Sequence, residues 1–257
     1  MTDASAAGDE GAQDRPPVVY DAALRRRLAD NLNRFEVRQH PLEGRRHAAV
    51  GIVVLDSDAD THGHDPITTE RVELIKNVPG AVGPEVTGRV DGTAGGAAVL
   101  LTRRGSHLDA HARQWAFPGG RLDDGETPLE AAKREIEEEV GLSLGGDALL
   151  GRLDDYPTRS GYVISAFVFW AGAHAEPEAN PDEVASLHRI ALSELARPDS
   201  PRFVTIPESD RPVIQVPIGG DLIHAPTGAI LHQFRAVAFD GGDERVDGYE
   251  QPPFAWR

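Results

Sequence analysis

One short segment constrains this chain more than any other: "FPGGRLDDGETPLEAAKREIEEEVGL", residues 117–142. Thr127, followed by proline and then by glutamate three positions on, has the pattern of a capping box, and proline is favoured in the first helical turn. Gly141 supplies the left-handed residue that ends many helices. The segment therefore predicts a helix over residues 128–140.

The predicted helix has an apolar stripe and an acidic flank. At about 100° per residue, the stripe that can pack on a sheet consists of Leu129, Ala132, Ile136 and Val140. Glu135, Glu138 and Glu139 gather beside it, where like charges repel unless a cation lies among them. Carboxylate oxygens suit a hard ion such as Mg²⁺ or Mn²⁺. The alternative is a solvated acidic face without any ion.

Two features near this flank bear on that choice. Gly119 and Gly120 let the backbone approach a phosphate or an ion closely, because glycine has no side chain. Glu130 and Arg134 are spaced as a favourable pair on the outer face of the helix, so they need no ion. The glycines therefore favour a metal site over a solvated face.

Strand and helix patterns alternate around this segment. Strands are predicted over residues 47–55, 96–104 and 162–172, a strand leading into a short helix over 184–196, and further helices after Asp21 and over 226–237. We expect residues 1–17 to be a disordered tail and residues 18–257 to be one domain, interrupted by an insertion at about 56–95. The fold class predicted by this alternation is mixed α/β (α+β).

Composition excludes several classes of protein and site. The chain has 257 residues and no cysteine, which rules out disulfides and thiolate metal sites. Its formal net charge of −16 argues against loose binding to nucleic acid. No apolar run is long enough to span a membrane, and the first residues lack the pattern of a signal peptide. We therefore expect a cytoplasmic protein.

The segment resembles the Nudix box, G-x5-E-x7-R-E-U-x-E-E-x-G-U, in which U is apolar. The pattern is filled without departure by Gly120, Glu126, Arg134, Glu135, Ile136, Glu138, Glu139, Gly141 and Leu142. The resemblance implies the Nudix fold, a mixed β-sheet sandwiched between α-helices. It also implies hydrolysis of a nucleoside diphosphate linked to another group, with Mg²⁺ or Mn²⁺ as cofactor and a small nucleotide as substrate.

The resemblance also assigns roles to residues. Glu135 and Glu139 match the main metal ligands of the family, and Glu138 matches one that often assists. Arg134 matches the residue that orients the glutamate after it, and Glu126 matches one that braces the loop against the helix. The family therefore implies a catalytic helix held in place by its own charged neighbours.

The resemblance leaves two candidates for the general base, and the sequence suggests three substrate-binding residues. Glu135 is one candidate for the base, and Glu183 in "NPDEVASL" is the alternative, since some family members take the base from a later loop. Arg104, Gly119 and Gly120 are the predicted substrate-binding residues. Family members often form homodimers, which makes a homodimer one expected assembly, but the sequence identifies no interface.

Residues 100–120 resemble the segment that distinguishes coenzyme A pyrophosphatases, which split coenzyme A into 3′,5′-ADP and 4′-phosphopantetheine. Asp109 stands where that pattern expects arginine, and Arg113 stands where it expects glycine. Losing a guanidinium removes a bidentate phosphate donor. ADP-ribose or another nucleotide sugar therefore stays open as the substrate. Two other functions also stay open: a non-catalytic ligand-binding regulator, and a partner-binding protein in which the insertion and the acidic tail make the contacts.

Overall fold

A computed structural model describes residues 16–57, 96–104, 114–172, 174–218 and 221–253. The predicted tail and the predicted insertion lie outside these ranges, apart from two residues of each. Within the described part of the chain, no helix combines the length and the apolarity needed to cross a membrane.

The described residues form helices and strands in a mixed order. The helices are α1 (Ala22–Arg34), α2 (Pro128–Val140), α3 (Leu192–Leu195) and α4 (Thr227–Gln233), which continues as a π-helical segment over Phe234–Phe239. A 3₁₀ turn spans Gly146–Ala148. The strands are β1 (Arg46–Ser57), β2 (Gly96–Arg104), β3 (Trp115–Ala116), β4 (Gly119–Arg121), β5 (Leu149–Arg152), β6 (Tyr156–Pro157), β7 (Tyr162–Trp170), β8 (Val184–Ala191), β9 (Arg202–Ile206), β10 (Ser209–Ile218) and β11 (Asp221–His224).

Strand β1 is the centre of an eight-stranded mixed sheet. Along the sheet the order is β3-β2-β1-β7-β5, with β4 paired to β1, β6 to β7 and β8 to β2. The β1–β7 pair is parallel, and the β1–β2 and β1–β4 pairs are antiparallel. The β-branched, apolar stretch that predicts a buried strand is the middle of β1. A separate three-stranded antiparallel sheet has the order β11-β10-β9.

Both faces of the large sheet are covered. Helix α2 lies on one face, where Ile136 and Val140 share a buried apolar cluster with Val53 of β1. The other face carries α1, α4 and the three-stranded sheet, whose apolar side chains share a second cluster with Ile52 and Val54. Since β1 alternates its side chains between the two clusters, it ties both layers together. The predicted class, a mixed sheet between helices, is confirmed.

Helix α2 has the predicted bounds and caps. Thr127 accepts from the backbone N–H of Glu130, and the carboxylate of Glu130 accepts from the backbone N–H of Thr127 at 2.8 Å. Gly141 ends the helix in the left-handed region at φ 68°. The predicted pair between Glu130 and Arg134 is wrong, because the capping box draws the Glu130 carboxylate back towards Thr127 and away from the next turn.

Gly51 sets how closely α2 approaches the sheet. A Cβ atom at Gly51 would lie 2.3 Å from Cδ1 of Ile136, well inside van der Waals contact. We expect Gly51→Ala to destabilise the protein by about 1–3 kcal/mol through overpacking. Ile136→Val removes that Cδ1 atom, so the double variant should be more stable than the sum of the two single changes predicts. Urea denaturation of all four proteins measures this, and strict additivity would contradict the contact.

Candidate active site

Two glycines bring the sheet against the acidic flank of α2. A Cβ atom at Gly120 would lie 2.2 Å from Oε1 of Glu135, and one at Gly119 would lie 2.4 Å from the carbonyl oxygen of Ala49. The backbone N–H of Gly119 donates to Oε2 of Glu139 at 3.3 Å. A larger residue at Gly119 would press β4 against the backbone of β1, and one at Gly120 would displace the Glu135 carboxylate, so close packing favours glycine at both positions.

A later loop is tied to the end of the same helix. The backbone N–H of Asn180 donates to the carbonyl of Glu139 at 2.9 Å, and that of Glu178 donates to Val140 at 3.0 Å. Both bonds satisfy carbonyl groups that a helix end leaves without a partner. Asn180 then accepts from the backbone N–H of Glu183 at 3.1 Å, which folds the loop back. The helix end therefore positions Glu183.

Three carboxylates meet at this point. Glu135, Glu139 and Glu183 each offer one oxygen, and these three oxygens lie within 4.8 Å of one another. Glu139 is buried, Glu135 is half-buried and Glu183 is exposed. The structure thus brings together two of the three predicted metal residues with the residue predicted as an alternative base.

The electrostatics of this cluster favour a bound cation. Burial raises the pKa of Glu139 to about 8, and the nearby Glu135 charge adds to the effect. Burial also raises the pKa of Glu135, although the adjacent Arg134 opposes this. Arg104, at the end of β2, lies close enough to lower the pKa of Glu139, but it does not offset the burial. An all-oxygen donor set with excess negative charge fits a hard divalent ion.

Glu138 lies outside the cluster. Its carboxylate accepts from Arg134 at 2.8 Å, and its side chain is 52% exposed. Helix geometry explains the difference, because Glu138 is turned about 100° from Glu139 and away from β4. The structure therefore separates Glu138 from the carboxylates with which the sequence pattern groups it.

Arg134 connects the helix to the loop before it. Its guanidinium donates to Glu126 at 2.9 and 3.0 Å, to Glu135 at 3.0 Å and to the carbonyl of Arg121 at 3.0 Å. Hydrogen bonding to Glu126 raises the pKa of Arg134 and lowers that of Glu126. These contacts fit the orienting and bracing roles that the Nudix resemblance implies. They also fix one oxygen of Glu135.

A family model described as "NUDIX domain" matches residues 84–207, which include α2 and the three clustered carboxylates. Over these residues the chain is similar to the Nudix family. Within the matched residues, the sequence pattern by itself predicts Glu135 and Glu139 as site residues. It had not identified Asn180 and Glu178, whose backbones hold the Glu183 loop; the only local signal was the turn-forming "NPD" of that loop.

Curated Nudix relatives match about half of the chain. An "Uncharacterized Nudix hydrolase NudL" from Yersinia pestis (strain Pestoides F) is 36% identical over 135 residues, which cover 52% of this chain and 62% of the relative. NudL from Yersinia pseudotuberculosis serotype O:1b (strain IP 31758) matches with the same figures. The chain therefore spans less than two thirds of the length of these relatives.

Solved structures give a weaker match. A MutT/nudix family protein from Enterococcus faecalis matches with a TM-score of 0.49 and 15% identity, covering 81% of this chain and 66% of that protein. A likeness of this size supports no conclusion about activity. Asp109 and Arg113, the two departures from the coenzyme A pattern, lie outside the described residues.

Proposed function

We propose that this protein is a divalent-cation-dependent hydrolase that cleaves the diphosphate linkage of a nucleoside diphosphate derivative. The observation that carries the proposal is the group of carboxylate oxygens from Glu135, Glu139 and Glu183 within 4.8 Å of one another. They lie beside the Gly-Gly backbone of β4, where the backbone N–H of Gly119 donates to Glu139 and Gly120 packs against the Glu135 carboxylate.

Glu135 and Glu139 would hold the cation beside the exposed Glu183, and oxygen donors of this kind favour Mg²⁺ or Mn²⁺. When bound, the cation supplies positive charge that neutralises a diphosphate and makes water easier to deprotonate. Glu138 takes a different role in this proposal: it accepts from Arg134 and so helps to hold the guanidinium that fixes Glu135.

Phosphate binding and proton removal from water are assigned to groups in and around the cluster. Arg104 lies beside Glu139 and can donate to a phosphate oxygen of the substrate. A carboxylate must also take a proton from the attacking water. Glu183 is the best-placed base, because it is the exposed member of the cluster, whereas Glu135 already accepts from Arg134.

Glu183→Gln tests this assignment against Glu138→Gln. Both changes remove one negative charge from the same region. We expect Glu183→Gln to lower kcat by roughly 100-fold or more, since general-base catalysis contributes on the order of 10²–10⁴-fold. Glu138→Gln should cost about tenfold or less, because Arg134 keeps its bonds to Glu126. Steady-state assays with saturating Mg²⁺ measure both, and the reverse ranking would restore Glu138 to the metal site.

The substrate is proposed more narrowly as coenzyme A or an acyl derivative of it, with ADP-ribose or another nucleotide sugar as the competitor. The support is the resemblance of residues 100–120 to the coenzyme A segment, weakened by Asp109 and Arg113. A product assay over a panel of nucleotides with Mg²⁺ and with Mn²⁺ separates the two. Release of 3′,5′-ADP from coenzyme A alone would show that both departures are harmless. A cytoplasmic location and a homodimer stay predictions.

A further inference from the structure

Two arginines share one aromatic ring on the sheet face opposite α2. Cζ of Arg46 lies 4.2 Å from the ring centroid of Tyr162, and Cζ of Arg121 lies 5.5 Å from the same centroid. Both distances are within the range of cation–π attraction. Both arginines are exposed, and Tyr162 is half-buried. The ring therefore holds two guanidinium groups at the surface.

The strand register explains why these side chains meet. Arg46 pairs with Tyr162 across the parallel β1–β7 ladder, and Ala48 pairs with Arg121 across the antiparallel β1–β4 ladder. Side chains at alternate positions of a strand share a face, so Arg46 and Ala48 point the same way. Arg121 and Tyr162 therefore lie side by side with Arg46.

Neither arginine has an acidic partner among the residues that the structure describes. Within the described part of the chain, the side chains of Arg46 and Arg121 make no ion pair and no hydrogen bond. In contrast, the guanidinium of Arg134 forms ion pairs with four carboxylates. The formal net charge of the whole chain is −16. Two adjacent positive charges left unneutralised in so acidic a chain point to an anion supplied from outside.

The position of the two arginines relative to the carboxylate cluster limits which anionic group they can bind. Gly120 faces Glu135, as the overlap of a Cβ at that position with the Glu135 carboxylate shows. Arg121 is the next residue, so its side chain leaves β4 on the other face, about 3.3 Å further along the strand. A phosphate beside Arg121 is therefore separated by the strand from the group held at Glu135 and Glu139. It must be a second anionic group.

We propose that Arg46, Arg121 and Tyr162 form a subsite for a phosphate monoester carried by the substrate at a distance from the scissile diphosphate. The ring orients both guanidinium groups, and their N–H edges stay available for a dianionic phosphate. This inference rests on the proposed function, since it places the diphosphate at the carboxylate cluster. It narrows the substrate class to nucleotides with an additional phosphate.

Coenzyme A and 3′-dephospho-coenzyme A test the subsite, because they differ by one phosphate monoester. We expect the wild type to favour coenzyme A in kcat/KM by on the order of 10- to 100-fold, the size that charge-assisted hydrogen bonds to one phosphate provide. Arg46→Gln/Arg121→Gln should remove this preference and leave turnover of the dephospho compound within about twofold. Arg26→Gln/Arg38→Gln, at two other exposed positions, controls for the loss of two positive charges.

Binding separates failure of the subsite from failure of the proposed reaction. Titration calorimetry with adenosine 3′,5′-bisphosphate and with 5′-AMP needs no turnover. Tighter binding of the bisphosphate by the wild type, lost in the double variant, supports the subsite even if no diphosphate is cleaved. Equal binding of both nucleotides by the wild type, or a preference unchanged in the double variant, overturns it even if hydrolysis is established.

Tyr162 offers a further check on the same proposal. Tyr162→Phe keeps the ring and should keep the preference for the 3′-phosphate, whereas Tyr162→Leu should reduce it several-fold because the guanidinium groups lose their platform. Circular dichroism establishes that both variants fold. Equal preference in the folded Leu variant and the Phe variant would contradict the role of the ring.

Discussion

Glu139→Gln and Glu135→Gln are each expected to lower kcat by on the order of 10³-fold with little change in overall fold. Each change replaces a carboxylate of the cluster by a neutral group of the same shape, which removes several kcal/mol of charge stabilisation from the proposed cation site. Glu139 is expected to be the more sensitive position, because it is the most buried of the three. Product release at saturating Mg²⁺ provides the measurement.

Glu137→Gln is the matched control for these variants. Glu137 lies on the same helix, is exposed and is not one of the three clustered carboxylates. Its loss should leave kcat within about twofold, since an exposed surface charge far from the chemistry contributes little. Near wild-type turnover in both Glu135→Gln and Glu139→Gln would remove the proposed mechanism, provided that circular dichroism shows both variants to be folded.

Without a bound cation, Glu139→Gln should be more stable than the wild type, although it should be less active. The pKa of Glu139 is raised from 4.5 to about 8, chiefly by burial. A carboxyl group with a raised pKa destabilises the fold as pH rises from about 4.5 to about 8, because the folded state then resists losing a proton that the unfolded state has already lost. In EDTA at pH 7, we expect Glu139→Gln to be more stable than the wild type by about 3 kcal/mol.

Mg²⁺ should reverse that order. Binding to the folded state alone stabilises a protein by about 4.1 kcal/mol when the free ion is at 1,000 times its dissociation constant, which exceeds the expected deficit of the wild type. The wild type should gain this stabilisation, and Glu139→Gln should gain much less, because one ligand is missing. Thermal unfolding with EDTA and with MgCl₂, at pH 5 and at pH 7, measures both effects. A wild type that is insensitive to Mg²⁺ would argue against the ion site.

Local chemistry explains which elements the sequence predicts well. The caps Thr127 and Gly141 act within one or two turns, so the bounds of α2 follow from neighbouring residues alone. The strand over residues 47–55 is predicted because a run of β-branched, apolar residues has few other stable positions. The π-helical continuation of α4 over Phe234–Phe239 is not predicted, since the i, i+5 pattern leaves no distinct hydrophobic period.

The site residues also separate into those that local geometry predicts and those that tertiary contacts place. Glu135 and Glu139 lie one turn apart, so helical geometry alone brings their carboxylates together, and the Nudix pattern adds their roles. Glu138 satisfies the same pattern, yet it turns to Arg134, because the choice between two partners depends on where β4 lies. Glu183 is distant along the chain, and its approach depends on the backbone bonds of Asn180 to the end of α2.

By itself, the sequence determined the bounds of α2 and its acidic flank, since these depend on local capping and helix geometry. Only the tertiary structure decided that Glu183 completes the carboxylate cluster and that Arg46 and Arg121 share the ring of Tyr162. Those contacts arise from strand register and loop closure between distant segments, which no local pattern of residues encodes.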